Sequence, residues 1–304
     1  MRISLTLLLL LFSSPCFSAP NIVVSIAPIH SLVSSLTKGI SEPMLLLRQG
    51  GSPHSSSLRP SQARALAEAD LLIWVGPELE SFLTVPIGRL VKPSAEMQLL
   101  KLQGLKLLSQ RHGGFWEDDQ HADEPSHDEQ SINPHIWLSP DITRHIVASI
   151  CKRLIQIDPK NATAYKQNRE NLQRRIDLLE QSLKKQLIPI QTRPYMVFHD
   201  AYPYLEDAFS LNAIGSIRIS AERAPGARRL QQIQSKISES AAVCLFSEPQ
   251  FSPALASSLA KSSGLKLGEL DPLGSTIGQG EDSWFILMER LAENLLNCLG
   301  EVPE

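Results

Sequence analysis

The chain has 304 residues, enough for about two domains, and its 42% hydrophobic and 20% charged composition is that of an ordinary globular protein. Disorder and collagen-like structure are excluded. With 29 Lys plus Arg against 32 Asp plus Glu, the formal net charge is −3, without the basic excess that a phosphate backbone would attract, so nucleic acid is not an expected partner.

Residues 1–18 read as a secretory signal. Arg2 precedes an apolar run, Leu5 to Phe12, that is too short to span a bilayer, and Cys16 and Ser18 stand at −3 and −1 of a cut before Ala19. Cys16 raises the question of a lipoprotein, but Pro15 occupies the place where a lipidation signal has a small Gly or Ala, so export to the periplasm as a free protein is expected. No later stretch reaches the roughly 18 apolar residues of a membrane span. Export places the chain where disulfides persist. Cys244 falls in the apolar run 241–246 and Cys298 near the end of the terminal helical pattern, and these two are expected to pair. The alternative is that they and Cys151 are buried free thiols.

Short apolar runs then alternate with amphipathic segments, the pattern of βα units on a parallel sheet. Strands are expected at 22–26, 44–47 and 71–75, helices at 29–37, 60–69 and 77–90, and a further strand at 99–108 with a turn at Gly104. Segment 111–133 breaks the pattern, with His112, His121 and His127 set among acidic residues. It reads as a surface loop long enough to be a candidate for function. Ser139-Pro140 supplies an N-cap and a first-turn proline for a helix to 157. Asp158-Pro159 repeats the signal for a helical pattern that Pro189 stops. Those residues would reach about 43 Å at 1.5 Å per residue, enough to run across two domains. Beyond Pro194, strands are expected at 195–198, 213–219, 241–246 and 265–270, with helices at 201–209, 227–238, 253–262 and 282–299. The fold class is α/β: two lobes with central sheets, 19–157 (including the loop 111–133) and 189–304, joined by one long helix at 158–188.

Open α/β sheets gather ligands at the carboxyl ends of their strands. Three coordinating side chains fit that rule: His54, after the turn Gly50-Gly51-Ser52-Pro53; His199, at the end of 195–198; and Asp271, at the end of 265–270. His135 stands in Asn133-Pro134-His135-Ile136-Trp137, after the acidic loop. Three imidazoles plus a carboxylate or water suit tetrahedral zinc, whereas manganese prefers more oxygen. The residues are far apart in sequence, so their spacing is not itself a motif, and each taken singly is more often a surface or hydrogen-bonded histidine.

At these residues the chain resembles a known family. Gly51-Ser52-Pro53-His54 leading to Leu58-Arg59-Pro60-Ser61, Asn133 to Pro140, Phe198-His199-Asp200-Ala201-Tyr202, Pro225-Gly226-Ala227-Arg228-Arg229, Ser247-Glu248-Pro249-Gln250-Phe251 and Leu270-Asp271-Pro272-Leu273-Gly274 are similar to motifs of the metal-binding receptors of bacterial ABC importers, the zinc-uptake receptors above all. The resemblance spans nearly all of the chain after the signal. It implies two α/β lobes joined by a rigid helix, with a metal in the cleft between them. It carries ligand roles to His54, His135 and His199, with Asp271 or water as the fourth ligand; Pro53 stands where some zinc receptors have a glutamate. It also supports the Cys244–Cys298 pairing, and it makes 111–133 look like a shortened version of a His-rich acidic loop. Either His112, His121 and His127 form a weak auxiliary metal site or the loop is merely solvated.

The function so implied is capture of Zn2+ in the periplasm by a monomer and its delivery to a membrane permease driven by an ATPase, with no chemical step. Binding needs neutral imidazole, so affinity should fall as pH drops through about 6.5. Two alternatives stand beside it. One is a manganese or iron receptor of the same family. The other is a secreted zinc hydrolase, against which stand the lack of a His-Glu-x-x-His helix and the closure of the fourth position by Asp271.

Overall fold

A computed structural model describes residues 19–47, 51–111, 114–116, 131–218 and 225–300. The expected signal, 1–18, lies outside the described residues. Ile22–Val24 (β1), Met44–Leu45 (β2), Leu71–Trp74 (β3) and Glu96–Gln98 (β4) form an all-parallel sheet in the order β2-β1-β3-β4. The central strands β1 and β3 are buried throughout, which is why they read as unbroken apolar runs rather than alternating ones. Helix α1 (Ala27–Leu36) covers one face. Helices α2 (Pro60–Glu68) and α3 (Thr84–Leu90) cover the other, where Leu66, Leu83 and Ile87 pack against Val23, Leu72 and Trp74.

Helix α4 (Pro140–Ile157) is capped by the Ser139 hydroxyl, which accepts from the Ile142 amide. Helix α5 (Ala162–Leu187) is the long helix, about 39 Å from end to end. Its sequence is polar overall, yet Tyr165, Leu172, Ile176, Leu179, Leu183 and Leu187 fall on one buried stripe at helical spacing.

The second sheet contains Gly114–Phe115 (β5), Tyr195–Val197 (β6), Ala213–Ser216 (β7), Cys244–Ser247 (β8) and Lys266–Glu269 (β9) in the order β5-β7-β6-β8-β9. Four of its strands are parallel, and β5 runs antiparallel against β7. Pro203–Phe209 (α6), Ala227–Glu239 (α7), Ala254–Ser263 (α8) and Ser283–Leu299 (α9) complete this half.

Three local differences from the sequence reading have physical causes. The strand expected at 99–108 lies just upstream, at β4, because Leu99 and Leu100 are both buried in a 3-10 turn and so cannot alternate across a pleat. The helix expected at 77–90 shrinks to α3. Upstream of it the buried Glu80 carboxylate accepts from the amides of Val75 (3.2 Å) and Gly76 (3.0 Å) and from the Ser25 hydroxyl (2.5 Å), which folds 76–80 into a turn tying β3 to β1. Finally, Gly114–Phe115, read as part of a loop of the first lobe, adds an edge strand to the second sheet.

One apolar core runs through both halves. Helices α1, α4, α5 and α9 pack on one another between the sheets, so α9, last in sequence, rests on α1 of the first lobe. The Trp284 amide donates to Ser31 Oγ (3.0 Å) and its ring Nε1 to the Trp137 carbonyl (2.9 Å), while Trp137 Nε1 donates to the Pro272 carbonyl (2.8 Å). Cys244 on β8 and Cys298 on α9 are joined by a disulfide, and Cys151 is a buried free thiol on α4. Among the described residues, no helix is long and apolar enough to cross a membrane.

Two outcomes follow. The disulfide closes a span of 54 residues, so replacing both cysteines by Ala should lower unfolding stability by about 4 kcal/mol in the chain-entropy account, read from denaturant midpoints. Burial pushes the Glu80 carboxyl up to about 7, against the opposing pull of its hydrogen bonds. An acid with a raised folded pKa holds its proton more tightly when folded, so its contribution is complete below about 4.5 and is lost as pH rises toward about 7. The stability of the parent relative to Glu80→Gln should therefore decline across that window and level off above it.

Candidate metal centre

His54, His135 and His199 reach one point from three directions. His54 lies in a 3-10 turn, Pro53–Ser55, on the chain leaving β2. His199 lies two residues past β6. His135 precedes the buried 3-10 turn Ile136–Leu138 that leads into α4. Their ring centroids are 5.5, 5.9 and 5.2 Å apart, and one nitrogen from each lies within 4.8 Å of the other two.

The hydrogen bonds decide which nitrogen faces inward. Asn133 Oδ1 accepts from the His135 amide (3.1 Å), and Asn133 Nδ2 donates to the Asp200 carbonyl (2.7 Å), so the orientation of that side-chain amide is forced. His135 Nδ1, 3.0 Å from the same Oδ1, must then carry the proton. His199 Nδ1 lies 2.5 Å from Glu248 Oε1, an acceptor that also receives the His199 amide. Both rings therefore turn Nε2 toward the other, 3.4 Å apart. Two nitrogens about 2.0–2.1 Å from a tetrahedral ion stand about 3.3–3.4 Å apart. Burial first, then the neighbouring His199 and His54, holds His135 well below the ordinary imidazole pKa, which keeps it in the ligating neutral form.

Glu248 is the residue the sequence reading left without a role. It follows β8 directly and is buried, and its second oxygen, Oε2, has no hydrogen-bond partner. A carboxylate on the far nitrogen of a metal-binding histidine fixes the tautomer and raises the basicity of the ligand. The signal was available: a charged residue ending an apolar strand obeys the same rule that singled out His199.

Asp271, expected as a possible fourth ligand, is placed beside the three histidines but not among them. It stands past β9, where Oδ1 accepts from Gln250 Nε2 (2.6 Å) and the amides of Leu273 and Gly274, and Oδ2 from the amide and hydroxyl of Ser275. The carboxylate is thus saturated by its own loop and by Gln250, which follows β8. It borders a neighbouring cavity with Glu269 and Arg290, while Gln250, Pro272 and Leu273 border the histidine pocket. His112, His121 and His127 lie outside the described residues. Neither remaining described histidine joins the centre: His30 is buried against the Pro43 carbonyl, and His145 is exposed on α4.

Two α/β halves around a pocket of converging imidazoles define a receptor for a metal cation. The family described as zinc-uptake complex component A, periplasmic, matches residues 22–298, and the chain belongs to that family. The high-affinity zinc uptake system protein ZnuA of Brucella suis biovar 1 is 36% identical, with 92% of each chain covered, and that of Yersinia pestis is 36% identical, with 95% of each covered. A crystal structure of ZnuA superposes with a TM-score of 0.77 at 24% identity, covering 93% of this chain and all of the other. The solute-binding protein FpvC of Pseudomonas aeruginosa, solved with Mn2+, shares the fold at a TM-score of 0.78 and 21% identity. The fold alone therefore does not choose the metal.

Removing the partners of the outer nitrogens tests the tautomer argument. Asn133→Ala and Glu248→Ala should each weaken zinc binding about 10- to 100-fold. Glu248→Gln keeps an acceptor for His199 Nδ1 and should lose less, as measured by chelator competition.

Proposed function

We propose that the chain captures zinc in the periplasm and delivers it, as a monomer, to the membrane permease of an ABC importer with its ATPase. His54, His135 and His199 are the ligands, and water completes the coordination unless Asp271 is freed from its hydrogen bonds. The observation that carries this reading is the pair of facing Nε2 atoms 3.4 Å apart, the edge length of a tetrahedral zinc site. A donor set of three nitrogens with no carboxylate among them favours zinc over manganese, which takes more oxygen. The pocket bordered by the three histidines has a volume of about 10 Å³, room for one ion or water. The lobes 19–157 and 189–304, with the helix 158–188 between them, are the parts through which the permease would act on the site.

The test is metal content and competitive zinc affinity of the mature protein beside a variant with His54, His135 and His199 all changed to Ala. The parent should hold one tight zinc per chain and the variant none. Tight zinc retained by the variant would sink the assignment. In the same titration, changing His112, His121 and His127 to Ala should remove only weak additional binding, since that segment supplies an auxiliary site in this reading.

A further inference from the structure

The stem of the His-bearing acidic segment is fastened to the second lobe by one cation. Arg111 enters that segment with its guanidinium forked between two buried carboxylates. Nε and Nη2 lie 3.1 and 2.5 Å from Asp200 Oδ1, and Nη1 and Nη2 lie 2.7 and 3.1 Å from Glu206 Oε2 and Oε1. The Arg111 amide also donates to Asp200 Oδ2 at 3.0 Å, and the Trp116 ring lies 3.5 Å from the guanidinium carbon. The return arm of the segment is tied to the same place. The Asn133 amide donates to the Leu108 carbonyl, the Leu108 amide to the Tyr204 hydroxyl, and that hydroxyl to the Asn133 carbonyl.

The anchor of this clamp is the residue next to a ligand. Asp200 follows His199 in the chain, and its carbonyl accepts from Asn133 Nδ2, the amide whose oxygen sets the His135 tautomer. One hydrogen-bonded path thus runs from Arg111 through Asp200 to His199 on one side and to Asn133 and His135 on the other. No other described cation reaches Asp200 or Glu206. Loss of Arg111 would leave two buried carboxylates unpaired beside the peptide that carries His199, a situation that buried charges relieve by moving.

We propose that Arg111 is a positioning residue of the metal centre. Acting through Asp200 and Asn133, it holds His135 and His199 at ligating separation, so that the stem of the acidic segment and the zinc site form one coupled unit. The inference rests on the reading of the three histidines as zinc ligands. A brace that merely stabilises the fold would change the melting temperature and leave coordination alone; a positioning residue changes coordination as well.

The experiment uses the mature protein with Arg111→Gln, Arg111→Lys, Asp200→Asn and the Arg111→Gln/Asp200→Asn double variant. Lys106→Ala, which breaks only an exposed ion pair with Asp207 on α6, is the control. Zinc affinity by chelator competition, the visible absorption of the Co2+-loaded protein as a report of ligand geometry, and apo melting temperature are measured for each. Arg111→Gln is expected to weaken zinc about tenfold or more and to alter the cobalt spectrum. Arg111→Lys keeps the charge without the fork and should fall between, deciding the matter if the Gln variant does not fold. The double variant should lose no more than the worse single, and Lys106→Ala should match the parent. Zinc affinity within twofold of the parent and an unchanged cobalt spectrum in the Arg111 variants, or additive losses in the double variant, would overturn the proposal. A parent that binds no zinc, or a triple histidine variant that still does, would sink the underlying ligand assignment instead.

Discussion

Everything at the centre of this molecule follows from the need to keep three imidazoles facing one another in one pocket. The two inner nitrogens stand 3.4 Å apart, and the hydrogen bonds on the far side of each ring fix that arrangement. The outer nitrogens bear that load. Asn133 holds His135, and Glu248 holds His199; each also grips the ligand's own backbone amide, so ring and main chain are fixed by the same acceptor. These two bonds are worth more than their individual energies because they settle tautomer and direction together.

Such precision needs a stiff frame, and the helices between the sheets supply it. Trp137, two residues beyond His135, accepts through its carbonyl from Trp284 and donates from its ring to Pro272, which borders the histidine pocket. The His135 turn is therefore fastened both to α9 and to the loop beside the ligands. Because α9 lies on α1 and is joined to β8 by the disulfide, the second sheet is held to the first lobe from two sides. Wide opening of the halves would expose the shared core, at roughly 25 cal/mol for every Å² of apolar surface returned to water.

Two of the three histidines that the fold brings together were legible in the sequence because their placement obeys a rule about parallel strands: His54 and His199 follow β2 and β6, where open sheets present their ligands. The long helix was equally legible from paired proline caps and a single apolar stripe. Elements decided by tertiary partners were not. Glu80 curtails a helical pattern by taking backbone amides for itself, two adjacent buried leucines displace a strand, and β5 joins the sheet of the other lobe, a pairing that no local pattern encodes. Asp271 shows the same limit at the site. Its position after β9 marked it as a ligand candidate, but the amides of Leu273, Gly274 and Ser275 that saturate it come from the turn that follows, and only the fold reveals that they converge on it.

Glu248 and Asp271 end adjacent strands, β8 and β9, and the fold uses them differently. The first orients an imidazole, and the second holds its own loop together. Neither carboxylate joins the group formed by the facing nitrogens of the three histidines. His135 and His199 are linked through Asn133 and Asp200, whereas His54 comes from the first sheet on a separate turn. The three histidines are thus supplied by two separately positioned units, the linked His135–His199 pair and the turn that carries His54.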